Sequence, residues 1–83
     1  MPSTKTLEIL YFASLAEQAG KDAETIRFDG DTLTELYQYL HNQYGFNLAT
    51  NKLAVAINHE ITHWQSTIHD GDTVAFVPPV AGG

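Results

Sequence analysis

One segment governs what this chain can become. In TLTELYQYLHNQYG (32–45), Thr32 followed three residues later by Glu35 makes a capping box, and Gly45 closes the run. Between these ends Leu33, Leu36, Tyr37, Leu40 and Tyr44 recur at helical spacing and form one apolar stripe. A stripe of this kind is core, and it needs a surface to pack on. The flanking segments supply that surface as strands.

TLEILYF (6–12) is rich in β-branched and aromatic residues and is apolar on both faces, which predicts a buried, central strand. AETIRF (23–28) alternates, with Ile26 and Phe28 inward, as an outer strand does. KLAVAIN (52–58) places Leu53, Val55 and Ile57 on one face, and HEITHW (59–64) turns back as a short hairpin. An Asp-Gly turn in HDGD (69–72) leads into TVAFVPPVAGG, where VAFV is again apolar at every position. SLAEQAG (14–20) predicts a short second helix, with Ser14 and Glu17 as a capping box and Gly20 as its stop. The order strand, helix, strand, helix, strand, strand, strand predicts an α+β fold: one sheet, the long helix packed across it, and a short additional helix. Eighty-three residues make a single domain, 1–83, that buries about 60–65% of its unfolded surface. One core fits; a deep catalytic cavity does not.

Composition removes several function classes. The apolar share of 43% is that of a folded domain and argues against disorder. The net charge is −6, with only Lys5, Lys21, Arg27 and Lys52 as fixed cations, too few and too scattered to neutralise a phosphate backbone. No nucleic-acid partner is expected; a basic protein partner fits better. No leader and no membrane span are expected, since no run approaches about 18 apolar residues. There are no cysteines, so neither a disulfide framework nor a thiol nucleophile exists; this suits a cytoplasmic location. Phosphate loops and a serine elbow are missing. His59 and His63 share a strand face, with His69 as a conceivable third metal ligand; the alternative is three surface polar residues, and no metal is expected. The carboxylates sit mostly at helix starts and turns, and none stands out as a general acid or base.

The end of the chain carries the chemistry. Pro78 and Pro79 donate no backbone hydrogen bonds and fix their own φ, so the strand stops and the chain leaves the sheet as a stiff stem. Beyond Val80, the residues Ala81, Gly82 and Gly83 taper to almost no side-chain volume. Residues 78–83 therefore read as a projecting tail slim enough to enter another protein's channel, with the α-carboxylate of Gly83 at its tip. An ATP-using partner can turn that carboxylate into an acyl-adenylate, which a sulfur donor converts to a thiocarboxylate and an amine converts to an amide. An inert, frayed end is the third alternative.

DGDTVAFVPPVAGG (70–83) resembles the C-terminus of the MoaD family, the small subunits of molybdopterin synthase. The likeness continues through EILYFASLAEQAG (8–20), TLTELYQYL (32–40) and LAVAINHEI (53–61). The resemblance implies a ubiquitin-like β-grasp fold, with the first and last strands parallel in the middle of the sheet. It implies a sulfur carrier in molybdenum cofactor biosynthesis, adenylated at Gly83 by a MoeB-type enzyme that uses ATP and then loaded by a sulfur donor protein. No cofactor would be resident. The tail would enter the active site of a MoaE-type large subunit in a heterotetramer and give sulfur to cyclic pyranopterin monophosphate, the catalytic side chains belonging to the partner. The same resemblance makes Phe12, Ile61 and Val77 partner-facing, although Phe12 and Val77 fit a core role equally well. A ubiquitin-like modifier and a thiamine-type sulfur carrier are the alternatives.

Overall fold

The computed structural model describes residues 4–78. The chain forms β1 (Lys5–Tyr11), α1 (Ser14–Ala19), β2 (Ala23–Phe28), α2 (Leu33–Tyr44), a 3-10 turn (Thr50–Lys52), β3 (Ala54–Ile57), β4 (Glu60–Thr62) and β5 (Thr73–Val77). The strands make one mixed sheet in the order β2-β1-β5-β3-β4. β1 and β5 are parallel neighbours at its centre, and every other pair is antiparallel. With α2 laid across one face, this is the β-grasp arrangement.

The long helix forms where its local signals place it. Thr32 accepts from the Glu35 amide, and the Glu35 carboxylate accepts from the Thr32 amide, closing the capping box. Those backbone bonds, from Asp31 and Thr32, hold the Glu35 carboxyl below the usual glutamate range. The first two helical amides are satisfied from a distance: Leu33 donates to the Ser66 carbonyl and Thr34 to the Trp64 carbonyl. Segment 63–68 is thereby tied across the start of α2, and it leads straight to β5. At the other end Gly45 takes φ 71° and donates to the His41 carbonyl, a left-handed stop that favours glycine.

The core is one layer between sheet and helices. Leu33, Leu36, Tyr37 and Leu40 of α2 pack on Leu7, Ile9 and Tyr11 of β1, Val55 of β3, and Val74 and Phe76 of β5. Each such side chain contributes about 1.5–3 kcal/mol by leaving water. Leu15 of α1 joins the same cluster, so both helices cover the same face. Two loop residues complete it, Phe46 and Ile68. Phe46 stacks with Tyr37 at 5.9 Å between ring centres, and Trp64 stacks on Phe76 at the same separation.

Two expectations need correction. β1 and β5 are central, but each is covered on one side only, because no described element lies on the second face. In β1 only Leu7, Ile9, Tyr11 and the inward Lys5 are buried, and in β5 only Val74 and Phe76. The expected capping box at Ser14 does not form either. α1 begins one residue earlier than the pattern suggests: Ala13 is its N-cap, without a side-chain bond, and the Glu17 amide goes to the Ala13 carbonyl. Ser14 lies inside the first turn, so its hydroxyl is out of register with the free amides.

The Asp-Gly-Asp turn proves to be a structural clamp at the start of β5. Asp70 accepts from the Thr6 amide, and the Gly71 amide donates to the Thr6 carbonyl, which sets the parallel register with β1. Asp72 accepts from the His69 amide and from the Asn58 side chain, while the Asn58 side-chain oxygen accepts from the Thr73 amide. One short turn thus joins β1, β5 and the β3–β4 hairpin.

A half-buried polar group locks the far end of α2. The Glu24 carboxylate accepts from the Tyr11 hydroxyl at 2.5 Å and the Tyr44 hydroxyl at 2.6 Å, with Lys21 at 3.4 Å. Burial pushes the Glu24 carboxyl up, but the two phenols and the Lys21 ammonium outweigh it and hold it below its ordinary value. Burial first, and then Glu24, push the Tyr11 phenol far above its usual range. A depressed folded-state value means that the carboxylate stabilises the fold above the unfolded value and loses that effect as pH falls through the folded one. Glu24→Gln should cost about 2 kcal/mol at neutral pH. Thermal melts of the two proteins should converge as the pH drops below the ordinary glutamate value of 4.5.

Candidate functional site

The second face of the sheet carries apolar residues that no described helix covers. Strand registers align Leu10 with Ala75, Ala75 with Ala56, and Ala56 with Ile61, one row across β1, β5, β3 and β4. Four strands at about 4.8 Å spacing make that row roughly 14 Å long. A second row lies towards the end where β5 finishes: Val77 pairs with Ala54, and Phe12 stands one residue beyond the Tyr11–Phe76 pair. Alanines fill the middle strands, while Leu10 and Phe12 rise on one side and Ile61 on the other. The result is a shallow apolar trough aligned with β5.

Exposure separates the rim of the trough from the core, although Ala56 in its middle is itself buried. Ile61 is 69% exposed and Phe12 45%, whereas Phe76 and Val74, on the opposite side of β5, are fully buried. Val77 is half-buried. Of the two roles open to Phe12 from sequence, the core is therefore ruled out; its ring lies against solvent. Phe12, Ile61 and Val77 all belong to this one face. Pro78, the last described residue, is buried directly after β5. Pro79, Val80, Ala81, Gly82 and Gly83 lie outside the described residues.

A backbone corner shapes one end of the trough. The Leu15 amide donates to the Phe12 carbonyl, closing a tight turn over Phe12–Leu15. Ala13 within it has φ 52° and ψ −127°, a left-handed conformation that an L-residue adopts at a cost. Sequence reasoning missed this corner, since Phe12-Ala13-Ser14 carries no glycine to announce it.

Among the described residues no catalytic constellation accompanies the face. His59 sits in the hairpin turn with φ 72°, His63 follows β4, and the His69 amide is bound to Asp72. Among the described residues no group of three histidines or carboxylates is placed to hold a metal ion. An open cleft of about 370 Å³ lies elsewhere, between Tyr37, Gln38 and His41 of α2 and the loop at 47–50. It gathers one imidazole and no carboxylate. Among the described residues no helix is long and apolar enough to cross a membrane.

Comparison with known proteins is informative at this point. The family model of the ThiS family matches residues 9–83. The chain belongs to the ThiS family. Within it the chain is 35% identical, over 80 residues, to the molybdopterin synthase sulfur carrier subunit of Escherichia coli K12, a match covering 93% of this chain and 99% of the relative. The MoaD resemblance is thus shown. Among solved structures, SAMP1 of Haloferax volcanii superposes with a TM-score of 0.78 at 27% identity, covering 94% of this chain and 99% of that one. Subunit 1 or 2 in the Helicobacter pylori complex of the molybdopterin-converting factor superposes with a TM-score of 0.63 at 25% identity, covering 94% and 99%. These β-grasp neighbours match the fold described above.

If the trough is a surface and not a core, its residues should be nearly free to change in the isolated ThiS-family chain. Phe12→Ser and Ile61→Ser should shift unfolding free energy by no more than about 0.5 kcal/mol. Phe76→Ala, one layer away, should cost about 3–5 kcal/mol. Urea titrations of the three variants read the contrast.

Proposed function

We propose that this chain is a sulfur carrier for molybdenum cofactor biosynthesis, the small subunit of a molybdopterin synthase. The observation that carries this reading is the 35% identity to the Escherichia coli carrier subunit along nearly the whole of both chains. The trough agrees with it, as an apolar face beside the strand that leads to the tail.

In this reading Gly83 is the working residue and Gly82 gives it clearance. The Gly83 carboxylate attacks the α-phosphorus of ATP on a MoeB-type partner and releases pyrophosphate, leaving an acyl-adenylate. A sulfur nucleophile from a donor protein displaces AMP, and the product is a thiocarboxylate. Its sulfur attacks a carbon of cyclic pyranopterin monophosphate and displaces an oxygen substituent, which departs with a proton; water then cleaves the acyl–sulfur bond, which returns the carboxylate and leaves the sulfur on the pterin. Catalytic side chains come from a large MoaE-type subunit in a heterotetramer; Pro78 stays buried at the root of the tail, and Pro79, Val80 and Ala81 run from it into the partner's active site. The trough docks that subunit through Phe12, Ile61 and Val77; the complex of subunits 1 and 2 named for Helicobacter pylori supports a partner of this kind. A cytoplasmic location suits the ATP and the sulfur donor.

A second reading has its own support. The likeness to SAMP1, named a small archaeal modifier protein in its Haloferax volcanii form, favours a modifier joined to lysines through the same carboxylate.

Intact-mass measurement after incubation with an activating enzyme, ATP and a sulfur source decides between them. Replacement of one oxygen by sulfur at Gly83 supports the carrier; covalent adducts on other proteins support the modifier; an unchanged mass defeats both. Deleting Gly83, or adding one residue after it, should abolish sulfur transfer and leave the melting temperature as it was. Val77→Asp should remove large-subunit binding in size-exclusion chromatography, because a carboxylate would be desolvated at an apolar contact. Unfolding of that variant would return Val77 to the core.

A further inference from the structure

Ala13 occupies a place where glycine is the better residue for folding. Its φ of 52° and ψ of −127° are those of the first central position of a type II′ turn, which glycine dominates because a Cβ is strained there. The Phe12–Leu15 hydrogen bond at 3.1 Å holds the turn closed, so the strain cannot relax by opening it. Among the described residues nothing repays it. Ala13 is exposed, belongs neither to the core nor to the residues packed against it, and its side chain cannot cap α1. Local rules broken without internal compensation concentrate at functional positions.

What the methyl can meet is outside the chain. Ala13 is the neighbour of Phe12, the 45% exposed ring at the rim of the trough, and it stands at the end of the sheet where β5 finishes. We infer that Ala13 is a specificity-determining contact: its methyl extends the apolar trough onto the partner subunit, which is why alanine stands at a glycine position. This rests on the trough being the docking face for a large synthase subunit. The occupant is that subunit, with an apolar surface reaching past Phe12 to the corner.

His59 provides an internal control. It is also a non-glycine residue at positive φ, 72°, in the two-residue turn that joins β3 to β4. That turn lies at the opposite end of the sheet, since Ile57 pairs with Val74 at the start of β5 and Ala54 with Val77 at its end.

The test measures melting temperature and the Kd for the purified large subunit of molybdopterin synthase from the same genome. Ala13→Gly should melt several degrees higher, as relief of backbone strain in a domain of this size does. The same variant should bind about fourfold more weakly, the value of one buried methyl group. His59→Gly should also melt higher, with Kd unchanged. Phe12→Ala should weaken binding by more than tenfold. If Phe12→Ala binds as well as the parent, the docking face itself is wrong and Ala13 falls with it. If Phe12→Ala is weakened and Ala13→Gly is not, only the role of Ala13 is overturned. Equal weakening in Ala13→Gly and His59→Gly would trace the effect to general rigidity and overturn it as well.

Discussion

The parallel pairing of β1 with β5 is the constraint on which the rest of the structure depends. Parallel strands cannot be joined by a tight turn, so the whole middle of the chain must act as the crossover between them. That requirement places α2 across the sheet and sends β2 and β3 to opposite sides of the central pair. It also decides geography at the end of β5. Because Tyr11 is level with Phe76, Phe12 must stand beside Val77, and Pro78 leaves the sheet at the same end as that exposed aromatic ring. The register is not left to side-chain packing alone. Asp70 and Gly71 grip both backbone groups of Thr6, and Asp72 and Asn58 fasten the neighbouring hairpin to the same point. A slip by one residue would break these bonds and invert both faces of the strand.

The second consequence is a core on one side only. Two helices, one of them of six residues, can cover one face of a five-stranded sheet and no more. An uncovered face of an antiparallel or mixed sheet is ordinarily polar. Here its central rows hold Leu10, Phe12, Val77, Ile61 and three alanines, with charge displaced to residues such as Glu8 and Arg27 at the margin. Solubility gains nothing from that arrangement. It makes physical sense for a surface that spends part of its life against another protein.

This explains what could be read from the sequence and what could not. The helix from Leu33 to Tyr44 was legible to the residue, because its cap, its stripe and its glycine stop are all local signals. The doubly apolar pattern of β1 and β5 was also legible, and it did mark the central pair. Its cause was misread: the pattern says that a face is desolvated, and it cannot say whether the chain itself or a partner does the desolvating. Where the decisive contact is remote in sequence, nothing local revealed it. Phe46 looks like a loop residue until it is stacked between Tyr37 and Tyr44. Glu24 looks like a solvated strand carboxylate until Tyr11 and Tyr44 arrive from other elements. Lys5 counts as a surface cation until its ammonium is found on the Gly30 carbonyl. At Ser14 a correct motif was present, but the closure of the preceding turn shifted the helix start by one residue.

The distribution of charge bears on the proposed chemistry. In the proposed reaction a chain of net charge −6 brings a carboxylate up to ATP and so faces repulsion between anions. The sheet separates them. Asp29, Asp31, Glu60, Asp70 and Asp72 are set around the end where β5 begins, together with Lys5 and Arg27. At the end where β5 finishes stand Lys21 and Lys52 with an exposed acid, Asp22, whose carbonyl accepts from the Tyr11 amide; the strand carboxylate there, Glu24, is already engaged by two phenols and Lys21. The central strands are about 17–23 Å long in this direction, five to seven residues at about 3.3 Å each, which is about two to three screening lengths at physiological salt. The acidic end is thus electrostatically remote from the tail end. It can lend solubility and attract a basic partner without opposing the approach of an anionic substrate to the terminus.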